Sequence, residues 1–140
     1  MNQKLLDKYL FLFGSGGLLY ILIELIWRGY SHWTMFALGG ICFVFLGLIN
    51  EILPWQMPLW MQVVIGAIGI TILEFLTGCV VNRWLGWGVW DYSNLPGNFL
   101  GQICPQYMIL WLPVSLAGIV LDDWIRYRAF GEERPHYRLI

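Results

Sequence analysis

The 140-residue sequence predicts an all-α, polytopic membrane protein with four transmembrane helices. Three observations predict it. Hydrophobic residues make up 59% of the chain and charged ones only 12%, too few polar side chains to cover a water-soluble globule. Four apolar runs, residues 10–27, 36–53, 63–81 and 103–121, approach the roughly 20 residues that cross a hydrocarbon core about 30 Å thick at about 1.5 Å per residue. None of the runs alternates with period two, and only helices or closed barrels satisfy their backbone within lipid. The whole chain is expected to form one membrane domain.

The first run follows Lys4 and Lys8 and lacks a small-residue cleavage site, so it reads as a retained helix and not a signal peptide. RGYSHWT separates it from the second run. The two-proline stretch NEILPWQMPLWMQ separates the second from the third, and NRWLGWGVWDYSNLPGN the third from the fourth. Lys4, Lys8, Arg126, Arg128, Arg134 and Arg138 fall on the side of the termini, whereas only Arg28 and Arg83 fall on the other. The excess of basic residues predicts that both termini are cytoplasmic, which leaves the first and third connections facing outward.

The sequence also echoes itself. YILIELIWRG around Glu24 resembles ITILEFLTG around Glu74, and GGIC at Gly39 resembles GQIC at Gly101. Read as a tandem repeat of two-helix units, the echo predicts halves related by an axis along the membrane normal, with Glu24 and Glu74 in equivalent places. The same words could also recur by chance.

Acids inside a span are costly and normally face the bundle interior or water. Glu24 stands near the outer end of the first span and can pair with Arg28 four residues on. Glu74 lies deeper and has no basic residue one turn away, so either its partner comes from another helix or it stays protonated. Gly78 and Asn82 follow Glu74 at steps of four, which places all three on one helix face. The glycines Gly14, Gly16, Gly17, Gly40 and Gly47 read as packing positions between helices.

The third connection contains WGVWDYSNLPGNFLGQIC, residues 87–104. Interfacial tryptophans and tyrosines need no special purpose. Such a belt does not explain why Asp91, Ser93, Asn94, Asn98 and Gln102 gather in the same loop. Asn94 to Asn98 reads as a tight turn, and Asp91 or Ser93 as a local cap. Non-helical backbone at membrane depth is tolerated only where protein buries it or a wet cavity borders it. The loop is therefore expected to fold back over the bundle as a lid above Glu74. Arg83, Trp90 and Tyr92 line that lid, and His32 and Trp33 of the first connection lie at similar depth. No metal is expected, because Cys42, Cys79 and Cys104 form no CxxC and no Cys-His pair. A disulfide between Cys42 and Cys104 is left open, and no cofactor or nucleic-acid partner is expected.

The combination of YxxxE, His-Trp, GGICF, ExxxGxxxN, WDYSxxPxN and GQIC, over residues 14–111, resembles the CmpB-like ABC-transporter type IV family. Its matching positions are Glu24, His32, Trp33, Gly40, Glu74, Gly78, Asn82, Trp90, Asp91, Tyr92, Ser93, Pro96, Asn98, Gly101 and Gln102. The resemblance implies a small polytopic protein of the bacterial cytoplasmic membrane, acting as a permease. The sequence has no GxxxxGK[ST] phosphate loop, so any ATP hydrolysis would come from a separate subunit.

Three readings of function follow. The leading one is a transport-related component with an outward polar pocket for a small solute or lipid head group. Its path across the bilayer would be completed by homo-oligomerisation or a separate ATPase subunit. The second is a membrane enzyme on a lipid-like substrate, with Glu74 or Asp91 as general acid or base, although no nucleophile and base stand at a recognisable spacing. The third is a non-catalytic accessory or assembly protein, in which the polar loop is a plug. The basic-residue asymmetry makes a direct prediction. A reporter active only in the cytoplasm should work when fused after Ile140 and fail when inserted at Asn94, and the reverse pattern would overturn the orientation.

Overall fold

The computed structural model describes residues 3–52, 57–132 and 135, and the side chains of these residues except 28 and 50–52. It contains four α-helices: α1 (Gln3–Arg28), α2 (Trp33–Ile52), α3 (Leu59–Gly78) and α4 (Pro105–Phe130). Three helical stretches, Gln3–Trp27, Leu59–Trp84 and Pro105–Phe130, are long and apolar enough to cross a membrane, and Trp33–Ile49 is a shorter apolar helix. The chain is thus an all-helical, multi-pass membrane protein.

Two helix ends differ from the apolar runs. α1 begins at Gln3 and α4 ends at Phe130, because hydropathy marks only the part in hydrocarbon while backbone bonding continues through the interface. α4 starts cleanly: extended Cys104 precedes Pro105, whose missing N–H costs nothing in the first turn. It stops at Gly131, whose left-handed backbone (φ 65°) lets its N–H close onto the Arg126 carbonyl.

α2 is the inner element. It packs along α1 and also against α3 and α4, whereas α4 lies mainly on α3. Its Met35, Leu38, Phe43, Leu46 and Ile49 are buried, and Leu46 and Ile49 share a core with Ala67 and Ile70 of α3 and Ile119 of α4. Where α1 meets α2, a β-carbon at Gly16, Gly17 or Gly40 would collide with the facing helix, so these glycines serve close packing. Gly14 does not share this role, since nothing lies near its missing β-carbon. It points away from the contact line of its helix.

α1 and α4 meet at separate points. At one end Lys8 Nζ lies 2.8 Å from Glu132 Oε2, and the Phe11 and Phe130 rings meet edge to face. At the other, Trp27 Nε1 donates to the Tyr107 hydroxyl at 3.4 Å. Between them the Tyr20 and Trp111 rings approach, at 6.1 Å.

Arg126, counted among the basic residues on the side of the termini, lies past the end of the fourth apolar run yet is buried inside α4, paired with the fully buried Asp122 one turn before it. The guanidinium lies over the Tyr9 ring, 5.8 Å from its centroid, and 3.9 Å from Glu132. Asp122 fits because Gly47 of α2 has no side chain; a β-carbon there would strike the carboxylate. The charges are tolerated because they neutralise each other where α1 and α2 cover them.

Candidate functional site

Glu74 is 2% exposed, near the end of α3. Both of its oxygens accept hydrogen bonds, one from the Tyr92 hydroxyl at 3.0 Å and the other from Trp111 Nε1 at 3.2 Å. One carboxylate therefore joins α3, the long loop and α4. Bonds to an ionised acceptor are each worth about 1.5–3 kcal/mol, so two donors offset much of the cost of burying the acid. Burial and the neighbouring Glu74 charge push the Tyr92 phenol above its ordinary range, which keeps it a donor. Its ring stacks on Tyr107 of α4 at 4.8 Å.

Glu74, Gly78 and Asn82 do share a face, and all three meet the loop. A β-carbon at Gly78 would strike Gln102 and the Trp90 ring. Asn82 lies in a π-helical continuation of α3, Cys79–Trp84. Its Nδ2 donates to Gln102 Oε1 at 2.8 Å, while its Oδ1 accepts the Val89 and Trp90 amides at 2.6 and 3.4 Å. Wider π turns often mark functional positions. Here the turn delivers a side chain that replaces the missing helical acceptors for the first residues of the loop.

The loop folds back as expected, and its polar groups mostly bind one another. Trp90 Nε1 donates to the Gln102 carbonyl at 3.0 Å. Asn98 Nδ2 donates to the Leu95 and Ser93 carbonyls at 2.8 and 3.2 Å, and its Oδ1 accepts the Gly101 amide at 3.0 Å. A single antiparallel bridge, Phe99 to Ile103, closes the final turn. Leu100 sits at the tip with φ 55°, a conformation that strains a leucine side chain. Its carbonyl accepts from Gln102 Nε2 at 3.0 Å and Arg83 Nη1 at 3.4 Å.

Two chambers result. The first is a polar cup of about 650 Å³, bordered by Asn82, Arg83, Trp90, Asp91, Asn98 and Gln102 among others. Arg83 and Asp91 are its exposed charges. The Ser93 amide, helped by the Ser93 hydroxyl, holds the Asp91 carboxyl below the usual carboxylate range. The second is an apolar cavity of about 380 Å³ between α1 and α4, floored by α2 and α3, with Glu74 in its wall. No residue lines both chambers.

The expected site residues thus divide. Six gather at the cup, while Glu74 and Tyr92 form a separate junction. Asp91 does not reach Glu74, because it turns outward to cap Ser93. His32, Trp33 and Trp87 cluster in tilted and edge-to-face contacts, with ring centroids 5.7–6.0 Å apart, and His32 Nδ1 is bonded to Thr34 Oγ1 at 2.8 Å. Glu24 is half-buried on α1, one turn beyond Tyr20. The expected Glu24 to Arg28 pair lies outside the described residues, because it rests on the Arg28 side chain. All three cysteines are free. Sequence reading missed Trp111, although a signal existed: an indole in the interior of a span must place its N–H on an acceptor, and Glu74 was the deep acid in want of a donor.

Asn82→Ala should orphan the Val89 and Trp90 amides and Gln102, lowering stability by about 1–3 kcal/mol in thermal unfolding in detergent, whereas Asn94→Ala on the exposed turn should stay within about 0.5 kcal/mol. Equal effects would show that the Asn82 bonds do not hold the loop.

No curated protein and no solved structure matches the chain. A family model described as "Putative ABC-transporter type IV" matches residues 2–129. With nearly its whole length matched, and with the WDYS, ExxxG and GQIC positions built into one folded-back loop and the helix face beneath it, the chain belongs to that ABC-transporter-related membrane family.

Proposed function

We propose that the protein is a permease-type transport component of the bacterial cytoplasmic membrane, with its termini inside, whose outward cup receives a small zwitterionic solute or lipid head group. The observation that carries this reading is the pairing of Arg83 and Asp91 at one polar cup whose loop is otherwise internally bonded. Arg83 makes one long hydrogen bond, to the Leu100 carbonyl, so its planar fork retains donors that suit a phosphate or carboxylate. Asp91 supplies the complement for an amine. Asn82, Asn98 and Gln102 act as supports, since their amides are spent on holding backbone. His32 and Trp33 belong to the aromatic rim.

Four helices of this length enclose too little space for a transport path through one copy. A homo-oligomer or a separate ATPase subunit would complete it, consistent with a sequence that lacks a phosphate loop. The internal bonding of the loop also suits the accessory reading, in which the cup is the surface of a structural plug.

Titration with glycerophosphoethanolamine, and with phosphatidylethanolamine in nanodiscs, separates these readings and distinguishes a soluble from a membrane source of the ligand. Arg83→Gln and Asp91→Asn should each weaken binding at least about tenfold, or about 1.4 kcal/mol, with melting temperature nearly unchanged. Binding that is absent from the wild type or equal in the variants would favour the plug.

A further inference from the structure

The apolar cavity presents a different chemistry from the cup. It is walled by all four helices, and its surface is mostly hydrocarbon and aromatic, with the Cys42 thiol and Glu74 also in the lining. Among the described residues its lining contains no lysine, arginine or histidine. Glu74 is held by two neutral donors, the Tyr92 hydroxyl and the Trp111 indole. The Tyr20 and Trp111 rings meet edge to face in the same lining, with the Trp111 indole on the carboxyl group. Aromatic faces attract organic cations, more so where water is excluded. Access is lateral: α1 and α4 are clamped near both ends, by Lys8 with Glu132 and by Trp27 with Tyr107, and leave the middle to the cavity.

We infer that this cavity is a second binding site, for a lipophilic organic cation that enters from the bilayer between α1 and α4 and pairs with Glu74. An apolar body would displace lipid from the walls, and the positive centre would supply the countercharge that the lining lacks. At about 380 Å³ the cavity falls within the size range of small-molecule pockets. Anions of the same shape should be excluded, because they would meet the Glu74 carboxyl group.

Tetraphenylphosphonium and tetraphenylborate share a shape and differ in the sign of their charge, so the pair isolates the electrostatic part. In detergent, the wild type should bind tetraphenylphosphonium saturably, with quenching of tryptophan fluorescence, and bind tetraphenylborate at least about tenfold more weakly. Glu74→Gln should lose at least about tenfold in phosphonium affinity, while Glu74→Asp should stay within about threefold. Should Glu74→Gln elute as an aggregate, Ala117→Phe, which narrows the cavity without touching Glu74, should also weaken binding. Arg83→Gln should leave phosphonium binding unchanged, so the outcome is independent of the cup. No saturable phosphonium binding, equal binding of the two ions, or a folded Glu74→Gln or Ala117→Phe variant with wild-type affinity would each overturn the inference.

Discussion

A single buried carboxylate organises the end of the bundle on which the long loop sits. Glu74 belongs to α3, one of its donors belongs to α4 and the other to the loop. In hydrocarbon, a carboxylate without donors costs several kcal/mol. Trp111 and Tyr92 therefore offset much of the cost of burying the acid. This pairing fixes the rotation of α4 about its axis and draws the loop inward. Once the loop is down, Trp90 and Gln102 can settle on Gly78, and Asn82 can take the Val89 and Trp90 amides.

The same constraint separates the two chambers. Tyr92, anchored on Glu74 and stacked on Tyr107, stands where the loop meets the helices. Outside it lies a cup bearing Arg83 and Asp91, where exposed charges cost little and can be offered to a ligand. Inside the bundle lies an apolar cavity with one acid, where a charge is costly and its partner is correspondingly specific. The opposite end is tied by the Asp122 to Arg126 pair seated on Gly47. Rigid ends and an open middle leave α1 and α4 apart where the cavity lies.

Much of this was legible because it depends on local periodicity. The apolar runs gave four helices, and steps of four placed Glu74, Gly78 and Asn82 on the face that meets the loop. The density of amides in the WDYSNLPGN segment signalled a loop that binds its own backbone. What was not legible is tertiary. Nothing local says that Trp111 answers Glu74 from a separate span, or that Asp91 turns outward to cap Ser93 and leaves Glu74 to Tyr92. The burial of Arg126 was not legible either, because hydropathy cannot see a neutralising acid one turn earlier under a covering glycine. Gly14 looked like its neighbours but faces away from α2.

The central claim is that Glu74 and Trp111 are coupled across two helices. A double-mutant cycle of Glu74→Gln and Trp111→Phe, followed by equilibrium unfolding in detergent, tests it most directly. Coupling predicts that the double variant loses less stability than the sum of the single ones, by about 1–2 kcal/mol. Additivity within about 0.5 kcal/mol would contradict it, and would mean that the carboxylate does not depend on the indole.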